Sequence, residues 1–201
     1  MSENEVRLYY DIPDKALVER KNKLLKKFNY EADTKEARRE ILKELFGRVG
    51  KNASLTPLFY CDYGSNIFIG DDFYSNYGLV ILDCGKVTIG NRVMFAPSVE
   101  IYAVGHPIDP EMRAKALEYC APVTIGDDVW IGGRVVINPG VTIGNNVVIG
   151  SGAVVTHDIE DGVVAAGNPC KVIRKIDERD KKYYFKNYEF PSEPRKNLFD
   201  K

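Results

Sequence analysis

Along residues 125–155 an aliphatic residue recurs every six positions: Ile125, Ile131, Ile137, Ile143, Ile149 and Val155. A second apolar residue follows each by four: Val129, Val135, Val141, Val147, Ala153 and Ile159. Ile89, Phe95 and Ile101, with Val93 and Val99, set the same beat earlier. A helix repeats at 3.6 residues and a strand of a flat sheet at 2, so six fits neither element alone. It predicts one short strand plus one turn per unit. No single unit can bury its inward face, but stacked units bury theirs together. The expected fold is therefore mainly β, a parallel β-helix solenoid running from about Ile67 to Cys170. Glycine follows the aliphatic position at 70, 90, 126, 132, 144 and 150. Either a positive φ or a close approach of backbones calls for glycine there.

The flanks have other periods. A helix is expected around Lys15 to Phe28. A second follows Asp33, whose cap Glu36 would close as a capping box. Ile41, Leu42, Leu45 and Phe46 recur at helical spacing, and Gly50 reads as the stop. The charged, aromatic tail from Asp177 reads as one short helix and an extended end at Pro191 and Pro194. The division is a helical segment over 1–55, the solenoid over 56–175 and a tail over 176–201. Between Ile101 and Ile125 the repeat breaks: positions 107, 113 and 119 carry Pro, Arg and Tyr, which suit no inward position. The segment at about 104–121 is therefore extruded as a loop, and a loop held by a rigid scaffold is a common seat of chemistry.

Composition narrows the function classes. The chain has 201 residues and a net charge of −1, which gives no reason to expect a nucleic-acid partner. Its basic residues at 20–27 and 35–48 alternate with acids and apolar residues, as on solvated helix faces. The start, MSENEVRLYYD, lacks the apolar core of a secretory signal, and no stretch approaches the ~18 apolar residues of a membrane span. Cys61, Cys84, Cys120 and Cys170 lie far apart without a CxxC, so reduced thiols in a cytoplasmic protein are expected, and no metal site.

Three segments carry a family resemblance: ILKELFGRVGKNASLTPLFYCDYGSNIFIGDDFYSNYGLVILD, VGHPIDPEMRAKALEYCAPVTIGDDVWIGGRVVINPGVTIG and VVAAGNPCKVIRKI. They resemble the hexapeptide-repeat acyltransferases, and within them the maltose and galactoside O-acetyltransferase group that includes the nodulation acetyltransferases. The resemblance implies a left-handed β-helix, acetyl-CoA as donor, a sugar hydroxyl as acceptor, and no metal. It also implies a homotrimer whose active sites lie between subunits.

The same resemblance implies site residues. His106, one of two histidines, stands where the family places its general base. A hydroxyl is a poor nucleophile until a base takes its proton, and imidazole titrates in the range that suits the task. Independently of the resemblance, Glu118 later in the same loop reads either as the holder of the imidazole tautomer or as a solvated loop carboxylate. Asn76, in FYSNYG, matches the family's active-site asparagine and would position the acceptor or stabilise the oxyanion. Asp11, Asp62, Tyr74 and Asp83 fall at or beside acceptor contacts, and carboxylates are natural partners of sugar hydroxyls. On the donor side, Asn76, Trp130, Gly133, Ser151, Thr156 and His157 would line the CoA groove, with Lys171 and Arg174 on the phosphates. Asp62 and Cys84 stand where relatives carry Ser or Asp, which leaves the acceptor open. A hydroxylated antibiotic is the alternative. Cys84 reads as a buried filler rather than a nucleophile. A gamma-class carbonic anhydrase would need more histidines on zinc, and a serine acetyltransferase a larger helical domain. A non-catalytic scaffold would have no reason to keep His106, Asn76 and the basic pair together.

Overall fold

The computed structural model describes residues 5–193. Its body is a parallel β-helix, a three-sided prism built from strands of two to four residues. The first face stacks Arg48–Val49, Ile67–Ile69, Val87–Ile89, Val123–Ile125 and Thr142–Ile143. The second stacks Ser54–Leu55, Tyr74–Ser75, Met94–Phe95, Trp130–Ile131, Val148–Ile149 and Val163–Ala166. The third stacks Phe59–Cys61, Leu79–Leu82, Glu100–Tyr102, Val136–Ile137 and Val154–Val155. Both apolar positions of each hexad point inward and are buried, forming ladders such as Ile69–Ile89–Ile125–Ile143. The first coil begins at Arg48, ahead of the point where the six-residue beat becomes visible.

The glycines after the aliphatic positions answer to close approach rather than to φ. None of the six has a positive φ. A Cβ on Gly70 would sit 2.6 Å from the carbonyl carbon of Gly90, and one on Gly90 would sit 2.5 Å from the carbonyl oxygen of Gly126. The left-handed turn conformation falls two residues later, on Asp72, Arg92, Asp128 and Asn146.

Two helices close the open end of the prism. Asp14 caps Lys15–Lys26, which runs into a π-helical turn, Lys27–Glu31. The second helix, Lys35–Leu45, is capped by Thr34, whose hydroxyl accepts from Ala37 N at 3.1 Å. The expected Asp33 cap is therefore one residue early. With Thr34 in that position the third helical residue is Ala37, so no capping box can close. Gly50 is not the helix stop. The helix ends at Leu45, and Gly50 stacks on Gly70 as the first glycine of the column. Phe28 and Phe46 meet Phe59 edge-on, at 6.3 and 5.4 Å between ring centres. Asn29 also binds both backbone groups of Phe59, which satisfies an edge the solenoid leaves open.

At the other end Lys171–Lys175 pairs antiparallel with Val163–Ala166. A helix, Glu178–Lys182, follows. Before the expected extended end, Tyr183–Phe185 and Tyr188–Glu189 form a hairpin. Pro191 lies beyond that hairpin, and Pro194 falls outside the described residues. Among the described residues no helix is long and apolar enough to cross a membrane.

Candidate active site

The chain leaves the prism between Ala103 and Ala121, where Ala121 N donates to Ala103 O at 3.1 Å. The coils stack directly across this gap, with Ile101 opposite Ile137 and Val87 opposite Val123. The excursion is thus an insertion at the edge between the third and first faces. Val104–Gly105 and Leu117–Cys120 form its antiparallel base, and Asp109 caps a short helix, Pro110–Ala114, at its tip. A third strand completes the ribbon: Arg7–Tyr10 pairs with Leu117–Cys120, placing Tyr9 opposite Glu118. Asp11 N then donates to Ala116 O at 2.8 Å.

This arrangement sets His106 and Glu118 side by side, with Nε2 3.4 Å from Oε1. The His106 side chain is 58% exposed and that of Glu118 only 12%. The other carboxylate oxygen of Glu118 accepts from the Tyr9 hydroxyl at 2.8 Å. Burial, and then the neighbours Cys84 and Glu118, push the Tyr9 phenol far up. The pair opens on a cleft of about 310 Å³ that Asp11, Lys21, Asp62, Tyr63 and Cys84 also line. Burial raises the Asp62 carboxyl, against the thiol of Cys84, which donates to Asp62 Oδ2 at 3.4 Å, and the charge of Lys21. Burial likewise pushes the Cys84 thiol up to about 12, which keeps it protonated at neutral pH and inert as a nucleophile.

Asp83 does not reach the cleft, contrary to its expected place among the acceptor contacts. It is fully buried, and its carboxylate accepts from Asp62 N, Tyr63 N and Asn66 N at 3.0, 2.9 and 3.2 Å. The alternation of the coil explains this: Asp83 points in and Cys84 lines the cleft. Tyr74 lies on the outside of the second face, in register with Met94 and then Trp130, away from His106. Asn76 follows that strand at the edge between the second and third faces. Its Oδ1 accepts from Tyr77 N at 2.8 Å, so the group it can still offer is an Nδ2 donor. Gly133 and Ser151 lie along the same edge, with Gly133 N donating to Ser151 Oγ at 3.1 Å. Thr156 and His157 touch each other at 2.9 Å on the His106 edge, two coils further on.

Lys171 is exposed on the last strand. Arg174 is engaged within the chain: its guanidinium donates to both oxygens of Asp180 at 2.7 and 2.6 Å. The predicted residues therefore lie on two edges of one prism, on its second face (Tyr74 and Trp130), inside it (Asp83) and on the last strand (Lys171 and Arg174). His106, Glu118, Asp11 and Asp62 come together, and Asn76 and Trp130 do not join them within one chain. Sequence reasoning missed Tyr9, Lys21 and Tyr63. A short β-prone run, VRLYY, was the only local signal, and it could not name a partner more than 100 residues away. Among the described residues no group of His, Cys, Asp and Glu could hold a metal ion.

The family model for the bacterial transferase hexapeptide (six repeats) matches residues 122–157, and that for the maltose acetyltransferase hexapeptide capping motif matches residues 8–50. The galactoside O-acetyltransferase of Escherichia coli is 50% identical over 182 residues, 90% of this chain and 89% of its own. The crystal structure of a maltose O-acetyltransferase from Clostridium difficile superposes with a TM-score of 0.82 at 49% identity, covering 88% of this chain and 96% of the other. A galactoside acetyltransferase in complex with coenzyme A superposes with a TM-score of 0.86 at 47% identity, covering 92% and 94%. From the solenoid, its helical cap and these relatives, the chain belongs to the maltose and galactoside O-acetyltransferase group of the hexapeptide-repeat acyltransferases.

Proposed function

We propose that the protein transfers the acetyl group of acetyl-CoA directly to a hydroxyl of a sugar, with His106 as general base. One observation carries the reading: His106 stands beside the nearly buried carboxylate of Glu118 in a cleft that Asp11 and Asp62 also line. Those carboxylates accept hydrogen bonds from acceptor hydroxyls and orient one of them toward the imidazole. With Nε2–H turned to Glu118, Nδ1 is the basic nitrogen. It takes the hydroxyl proton as the oxygen attacks the thioester carbonyl. The C–S bond then breaks, the imidazolium returns the proton to the thiolate, and free CoA and the acetyl ester leave. The oxyanion formed between these steps needs a donor, and the Nδ2 of Asn76 is a suitable one.

Asn76, Gly133 and Ser151 occupy a different edge from His106, and Trp130 stands beside that edge on the outside of the second face. This supports donor grooves shared between copies of the chain in a homotrimer. Thr156 and His157 complete the groove on the His106 edge, and exposed Lys171 is the cation for the CoA phosphates. The relatives named for maltose and galactosides support a sugar acceptor, and the neighbour bound to coenzyme A supports the donor. Four free cysteines fit a reducing, cytoplasmic setting. The test is CoA release from acetyl-CoA against glucose, maltose, galactosides and hydroxylated antibiotics, with His106→Ala beside the wild type. A sugar should give the highest turnover, and His106→Ala should lower it by about 10²–10⁴-fold. Unchanged turnover in His106→Ala would remove the base assignment. Turnover with an antibiotic alone would remove the sugar.

A further inference from the structure

Five polar side chains from four separate stretches of the chain meet around the cleft. His106 faces Glu118, Glu118 holds Tyr9, Tyr9 neighbours Cys84, and the Cys84 thiol donates to Asp62. Tyr9 is the central member. Of the strand Arg7–Tyr10 it alone is not exposed, and its register places it opposite Glu118. Its hydroxyl and His106 take opposite oxygens of one carboxylate. A carboxylate so fixed from behind cannot rotate away from the imidazole without breaking a charge-assisted hydrogen bond.

We propose that Tyr9 is a positioning residue for acetyl transfer, fixing Glu118 so that Glu118 fixes the Nε2–H tautomer of His106. The proposal rests on the reading of His106 as the base. It makes the amino-terminal strand a working part of the active site rather than a cap on the excursion. Tyr9 touches neither acceptor nor donor in this scheme and acts only through Glu118.

Tyr9→Phe keeps the ring and the strand pairing and removes the hydroxyl. Its kcat should fall about tenfold, the rate equivalent of one hydrogen bond to a charged group, with the KM for acetyl-CoA unchanged. Glu118→Gln should show a comparable or larger fall. The double variant Tyr9→Phe/Glu118→Gln should be no slower than Glu118→Gln alone, because Tyr9 then has no charge to fix. A purely structural role would instead add a second loss.

With only two histidines in the chain, the ¹⁵N shifts of His106 are readable once His157→Gln removes the other signal. The wild type should show protonation at Nε2, and Tyr9→Phe a mixture of tautomers. Wild-type kcat in Tyr9→Phe, or additive losses in the double variant, would overturn the proposal while His106→Ala still reports on the base. Wild-type turnover in His106→Ala would instead remove the base itself. Should Tyr9→Phe melt early, Glu118→Gln and the ¹⁵N spectra test the same link from its other end.

Discussion

Asp83 and Cys84 are neighbours in sequence with opposite fates, and each makes a prediction. Asp83 serves three backbone N–H groups of the turn that carries Asp62 and Tyr63. Removing the carboxylate leaves buried donors unpaired, each costing about 1–3 kcal/mol. Asp83→Ala should therefore lower the unfolding free energy by about 3 kcal/mol or more, read by urea denaturation. An effect under about 1 kcal/mol would mean that water replaces the carboxylate. Cys84 lines the cleft, but burial holds its thiol up at about 12. Iodoacetamide at pH 8 should leave it unmodified in the folded protein and label it in urea, as mass spectrometry of the peptide will show. Residue type alone would have ranked the acid above the thiol as a cleft residue. The inward–outward alternation of the coil reverses that order.

Elements of this fold are held together where coils touch. Gly70→Ala would drive a methyl group into the backbone of Gly90. Backbone cannot step aside as a side chain can, so a cost of at least about 2 kcal/mol is expected. Gly152 has nothing within 4 Å of a Cβ and a φ of +75°. Gly152→Ala should cost only the left-handed strain, about 1–2 kcal/mol. Melting temperatures of the two variants give the ranking, and a milder Gly70→Ala would show that the coils can part. The terminal helix offers a pH test. The Arg174 guanidinium, and then the backbone N–H of Asp177, hold Asp180 down at about 2. A carboxylate below its ordinary range stabilises the fold above that range and loses the effect as pH falls. Amide protection over Asp177–Tyr183 should therefore persist at pH 5 and decline between about 3.9 and 2. Asp180 is partly exposed, so salt should weaken the effect.

The whole prism separates its candidate chemistry onto two edges, and one chain does not unite them. If acceptor and donor groups meet between copies, then inactive His106→Ala and inactive Asn76→Ala, mixed and refolded together, should regain activity. Some sites would then draw His106 from one chain and Asn76 from another. No recovery, with mixed assemblies confirmed by mass, would place both groups of each site in one chain. The solenoid was legible because each hexad is a local statement about a strand and its turn, repeated until its phase is unmistakable. The excursion was legible as the place where that phase fails. The strand Arg7–Tyr10 was not, because its stability comes from Leu117–Cys120 on the far side of the sequence. The first coil was hidden for a similar reason: Arg48–Val49 has no hexad of its own and is defined by Phe68 and Ile69 stacked upon it.

By itself, then, the sequence determined the repeat, the inward ladders, the excursion and His106 at its base, all properties of spacing along the chain. The tertiary structure alone decided that Tyr9 stands behind the expected pair of Glu118 and His106, that Cys84 and not Asp83 faces the cleft, and that Asn76 lies on another edge. Those relations depend on which way a side chain points and on what distant strand lies opposite it. Such facts arise only when coils stack and a strand from one end of the chain pairs with a loop from its middle.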